Sequence, residues 1–173
     1  MALPLRRSSP TTSTPAATAP VRASSGLAAR AARAQVYGAG NYFKDGKHEV
    51  KIRRVLEKNS DRGNGKAYFI IECELLSSNN PLCRTGDLVT QIIDVTKDTG
   101  PGNVKGFLMC VASHLYEDYN VQDLEDEGFI GELLDSVLME EQAATGLVVA
   151  VNCATIATRA GTPFTKVMWE VAE

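Results

Sequence analysis

Residues 66–76 (KAYFIIECELL) alternate without a break, with Phe69, Ile71, Cys73 and Leu75 set against Tyr68, Ile70, Glu72 and Glu74. Successive side chains of a strand point to opposite faces, so a period of two predicts a strand with one core-facing and one mixed face. Residues 48–58 (HEVKIRRVLEK) repeat the pattern, with Val50 and Ile52 on one face and Lys51 and Arg53 on the other. There the alternation slips at Arg54 and Val55, which predicts a bulge in a strongly curved strand. A turn rich in Gly, Asn and Asp (59–65, NSDRGNG) separates the two segments. Residues 77–86 read as a loop, and 87–95, rich in Val and Ile, as a third strand.

Gly100, Pro101 and Gly102 interrupt the pattern ahead of a helix. Asn103 is the expected N-cap, and Val104, Phe107, Leu108, Val111 and Leu115 recur at helical spacing to form one apolar stripe. A second helical segment is expected over 128–144, with Ile130, Leu133, Leu134, Val137 and Leu138 on one side. Residues 147–155 and 164–171 alternate again, and 158–163 (TRAGTP) supplies the turn of a closing hairpin. The expected chain is therefore mainly β with a helical insertion at about 103–144, in the order β-β-β-α-α-β-β. That is the order of an OB-fold, a five-stranded barrel in which the insertion plugs one end. The alternative is an open β-sandwich or jelly-roll fragment with the helices outside.

Charge divides the chain in two. Six of the 18 Lys and Arg residues precede residue 45, and none of the 21 acids does, so the rest carries about −9. Residues 1–37 form an arm of Ala, Ser, Thr and Pro, with prolines at 4, 10, 15 and 20. It holds too little large apolar surface to offset the entropy of ordering, and is expected to be disordered in isolation. An Arg- and Ser-rich, acid-free segment also fits an organelle transit peptide, or a flexible cation that holds phosphates or an acidic partner.

The run GAGNYFKDGKHEVKIRRVLEK, followed by FIIECELLSS, GNVKGFL and GTPFTKVMWEV, resembles a family of small phage proteins. The resemblance covers roughly residues 38–173 and leaves out the arm. It implies an OB-fold protein that binds single-stranded DNA alongside replication and recombination functions.

On such a barrel the binding surface is the outer face of the first three strands with its flanking loops. Lys51 and Arg53 point outward there; Lys58, Arg62 and Lys66 flank the first turn; Arg84 lies before the third strand; Arg159 and Lys166 belong to the hairpin. Tyr68 shares the outward face and supplies a stacking platform, with Phe164 as a second candidate at the hairpin edge. Basic residues that follow phosphates and an aromatic that stacks on bases bind single strands without reading sequence. Tyr42 and Phe43 either pack over the barrel or join the ligand face, and Trp169, in phase with Val167 and Val171, reads as core. The competing reading is an ordinary solvated strand face, since Glu49, Glu57, Glu72 and Glu74 stand among these cations. Residues 44–66 hold eight bases and four acids, whereas 117–141 hold ten acids and no base. The acidic segment is a candidate surface for a basic partner or for self-association, or simply the solvated side of an amphipathic helix.

Other chemistry finds little support. Cys73, Cys83, Cys110 and Cys153 lack the paired CxxC spacing of a zinc site, and His48 and His114 sit in no ligand motif. Residues 63–66 (GNGK) lack the first glycine of a phosphate loop and have Ala67 where it needs Ser or Thr. No nucleophile–base arrangement emerges from spacing, so neither catalysis nor a cofactor is expected. No apolar run is long enough to cross a bilayer as a helix. The expectation is a non-catalytic protein that coats single-stranded DNA, or RNA, in a phage-infected cell. The alternative is a virion assembly protein whose arm contacts its neighbours, and an imported organellar protein is a third.

Overall fold

The structure, a computed structural model, describes residues 41–60, 65–118, 120–157 and 161–171. The expected arm over 1–37 lies outside the described residues. The elements are β1 (Asn41–Tyr42), β2 (Gly46–Asn59), β3 (Ala67–Ser78), β4 (Leu88–Asp94), α1 (Gly100–Leu115), a 3₁₀ turn (Val121–Glu125), α2 (Glu127–Leu138), β5 (Val148–Ala157) and β6 (Pro163–Trp169). The expected order of three strands, helices and a hairpin is present, with one two-residue strand, β1, in front.

Five strands form an antiparallel sheet in the order β4-β3-β2-β5-β6, and β1 adds in parallel to the outer edge of β4. Among the described residues no ladder joins β6 to β4 or to β1, so the sheet stays open on that side and the expected closed ring of backbone hydrogen bonds is not formed. The bulge in β2 is there. The β2–β3 register shifts between Ile52 and Arg54, leaving Arg53 as the extra residue, and shifts again between Glu49 and Val50. Such irregularities bend a strand, which lets β2 pair with β3 along its length and with β5 along its first half.

The period-two faces hold. Val50, Ile52 and Val55 of β2 and Phe69, Ile71, Cys73 and Leu75 of β3 are buried, while Arg53 and Arg54 are exposed and Tyr68, Ile70, Glu72 and Glu74 half-buried. Each fully buried Val, Leu, Ile or Phe contributes about 1.5–3 kcal/mol. α1 closes the core from one side with Phe107, Leu108 and Val111, and α2 adds Leu133 and Val137. Leu115, the last residue of the expected stripe, is exposed.

Two helix boundaries differ from expectation. Asn103 is not the N-cap of α1: Thr99 occupies that position, and the Asn103 N–H already donates to the Thr99 carbonyl over 3.2 Å within the first turn. Pro101 suits that turn because its fixed φ is helical and its missing N–H would have had no partner. Gly100 permits the early start, since a Cβ there would strike the Asp94 carbonyl and lie 2.7 Å from Val95 Cα. α2 ends at Leu138 rather than near 144, and residues 139–146 turn back toward β2 with Gln142 at φ 31°.

Candidate nucleic-acid interface

Strand register sets the rows of the outward face. Across β2, β3 and β4 these are Lys58–Tyr68–Asp94, Leu56–Ile70–Ile92 and Arg54–Glu72–Thr90, followed by Lys51–Glu74–Leu88. An apolar row therefore lies between polar ones, with Ile92 45% exposed at its β4 end, and Leu88, equally exposed, ends the Lys51–Glu74 row. The bulge puts Arg53 and Arg54 on the surface together. Arg53 Nη1 pairs with Glu74 Oε2 at 3.2 Å, and Lys66 Nζ stands 4.0 Å from Asp94 Oδ2. An exposed pair such as Arg53–Glu74 is worth about 0–1 kcal/mol, so a phosphate can displace that carboxylate at small cost, whereas the Asp94 side chain is only 13% exposed.

The sequence-derived residues fall into three groups. Lys51, Arg53, Lys58 and Tyr68 share the β2–β3 face, spread from the Lys51–Glu74 row to the Lys58–Tyr68 row, with Lys66 just before β3 and Tyr68 half-buried opposite Lys58. Arg84 is exposed in the β3–β4 loop, at the opposite end of β3 from Lys66, and Lys166 is exposed on β6, beyond β5 from β2. These two do not join the cluster. Arg62 and Arg159 lie outside the described residues.

A cleft of about 460 Å³ was missed at the sequence level. It opens where the edges of β4 and β6 face each other, with Gln91 and Ile93 on one side, Thr165 and Val167 on the other, and Lys97 at its rim. Tyr42 of β1 and Phe164 of β6 also line it, and they are 60% and 53% exposed. Phe43 separates from Tyr42 by packing into the core, its ring centroid 6.1 Å from that of Trp169. Trp169 also meets Phe107 edge-on at 5.0 Å, as a core residue would, and its Nε1–H donates to Gln91 Oε1 over 2.8 Å. The exposed aromatics were visible in the sequence, but their place on one cleft depends on two strands separated by the whole helical insertion.

Part of the acidic stretch 117–141 has a local role. Asp126 Oδ1 accepts from the Gly128 and Phe129 N–H groups at the start of α2, and Asn120 and Asp123 cap the 3₁₀ turn reciprocally. Carboxylates at helix N-termini satisfy backbone donors that have no helical partner. Between α1 and α2 lies a second groove of about 480 Å³, lined mainly by apolar side chains including Phe69, Leu108, Ile130 and Leu134, with Glu57 and Lys105 also reaching it.

The titratable core groups serve structure. His48 is buried, with Nε2 donating to the Lys44 carbonyl over 2.8 Å and Nδ1 meeting Ser78 Oγ at 2.9 Å. A carbonyl only accepts, which places the proton on Nε2. Burial pushes the Cys110 and Cys153 thiols up to about 12 and Cys73 higher still, so all three remain protonated. Among the described residues, no helix is long and apolar enough to cross a membrane. The sequence matches no protein-family model and no curated protein.

Proposed function

We propose that the chain binds single-stranded nucleic acid, DNA foremost, on an OB-like barrel and performs no reaction of its own. The observation that carries this reading is the strand order β4-β3-β2-β5-β6 with helices between β4 and β5. Because every neighbour is antiparallel, the end strands β4 and β6 run in the same direction, and Trp169 bonds Gln91 from one to the other. A five-stranded, partly open Greek-key barrel has that arrangement, and such barrels bind oligonucleotides on the face of their second and third strands. Tyr68 stacks on a base from that second strand, β3, while Lys51, Arg53 and Lys58 of the adjoining first strand, β2, and Lys66 in the turn between them follow the phosphates along its edge. The resemblance to small phage proteins supports a role in replication or recombination.

Fluorescence anisotropy with a labelled oligo-dT of about 30 nucleotides, longer than the site of one OB-fold, tests the reading. The full chain should bind single strands in preference to duplex, and affinity should fall steeply with salt. Charge reversal at Lys51 and Arg53 should weaken binding, and Tyr68→Ala should weaken it at high salt too. Absence of binding at low salt overturns the reading.

One observation favours a second reading, a virion assembly protein. The groove between α1 and α2 is lined mainly by apolar side chains, which fits contact with another protein. Sedimentation without DNA decides it, since assembly requires concentration-dependent oligomers.

A further inference from the structure

We infer that the cleft at the β4–β6 seam is a nucleobase subsite, with Tyr42 and Phe164 as stacking faces and the Gln91 amide donating to a base carbonyl. The inference rests on the nucleic-acid reading above and adds to it a site and a base preference.

The cleft volume of about 460 Å³ lies within the roughly 300–1,000 Å³ usual for small-ligand sites. Its two aromatics approach from opposite edges, Tyr42 on the strand that borders β4 and Phe164 on β6. Both are more than half exposed, whereas Phe43, Phe69 and Phe107 are buried in the core. A flat, amphipathic base covers such rings, and each base–aromatic stack is worth on the order of 1–3 kcal/mol. Lys97, exposed at the rim, suits the attached phosphate.

The preference follows from Gln91. The indole N–H of Trp169 only donates, so the Gln91 atom it meets is the carbonyl oxygen. That bond orients the amide, and the group left for a ligand in the cleft is its NH₂. An NH₂ donor complements a carbonyl of thymine or uracil, whereas the two-bond pairing of an amide with adenine N6 and N7 also needs the amide oxygen, which Trp169 already holds. Asp94 also lines the cleft, but its Oδ1 accepts from Thr96 and its Oδ2 lies near Lys66. The subsite therefore favours oligo-dT over oligo-dA.

The test is anisotropy of labelled oligo-dT and oligo-dA, of about 30 nucleotides each as above, with the full chain and the variants Tyr42→Ala, Phe164→Ala, Phe164→Tyr and Gln91→Glu. Both alanine variants should lose about tenfold in oligo-dT affinity, the loss of one stack, with thermal melting unchanged because both rings are exposed. Phe164→Tyr should retain affinity. Gln91→Glu keeps an acceptor for Trp169 but removes the donor, and should abolish the preference for dT. Wild-type affinity in both alanine variants overturns the subsite and leaves the strand-binding reading standing. An unchanged dT-to-dA ratio in Gln91→Glu overturns the role of the amide. Failure of the unmodified chain to bind either oligonucleotide removes the underlying reading and the subsite with it. Loss of self-association in Phe164→Ala, with DNA affinity intact, overturns it in favour of a seam that docks a protein strand.

Discussion

The Gln142 side chain takes the place of a missing strand beside Val55. Its Oε1 accepts from the Val55 N–H over 2.9 Å, and its Nε2 donates to the Val55 carbonyl over 2.8 Å. Strand β5 pairs with β2 only as far as Lys51, and the last backbone bonds on that side join Ile52 to Gly146 and Leu147. Beyond the bulge the amide continues the ladder by one residue. Val55 is fully buried, so its backbone groups would otherwise lack partners away from water.

Gln142→Ala removes both bonds at once. A buried polar group left unsatisfied costs about 1–3 kcal/mol, and urea unfolding should show a loss of that size. Gln142→Met, close in volume but unable to bond, should lose a similar amount. Stability unchanged in both variants would mean that water replaces the amide.

Gly100→Ala should destabilise the protein through a backbone collision. The new methyl lies 2.7 Å from Val95 Cα and meets the Asp94 carbonyl, neither of which is a flexible side-chain tip. Overpacking of this kind costs about 1–3 kcal/mol, read from the thermal midpoint. Gly102→Ala is the control, since nothing lies within 4 Å of its Cβ position.

The Asp94 carboxyl is held below its ordinary value of 3.8, first by the Thr96 hydroxyl and then by the Thr96 N–H, Lys66 and Lys97. A lowered value means that the folded state favours the ionised form. The resulting stabilisation is present above 3.8 and is lost as pH falls through the lower folded value. Thr96→Val should move the Asp94 titration back toward 3.8, followed by the carboxyl carbon shift in NMR.

A thiol reagent at pH 8 should modify Cys83 first. Cys83 is half-buried, whereas Cys73, Cys110 and Cys153 are buried with thiols that stay protonated. Mass spectrometry after brief labelling should show one modification in the native protein and four in denaturant. Fast labelling of Cys110 would mean that α1 lifts from the sheet.

The outward placement of Lys51, Arg53 and Tyr68 was legible because alternation along one strand needs no knowledge of its neighbours. A bulge in β2 was legible for the same reason, as a break in that alternation read at Arg54 and Val55, next to the Arg53 that the register leaves over. The start of α1 was not, because Asn103 is a good cap by residue type, while the close approach of Gly100 to β4 is a tertiary contact. The end of α2 was not, because the backbone of Val55 recruits Gln142 from a distant part of the chain.

Which residues of each strand face the core, the bend in β2, and the acid-free segment ahead of an acidic body were all legible along the chain. These depend on local period and composition. The strand order, the short β1 on the edge of β4, the ion pairing of Arg53 with Glu74, and the cleft between β4 and β6 lined by Tyr42, Gln91 and Phe164 come from the packing of the folded chain. Each of these joins residues far apart in sequence. Which edges meet depends on how the whole chain packs, because any exposed strand edge offers the same backbone groups to any other.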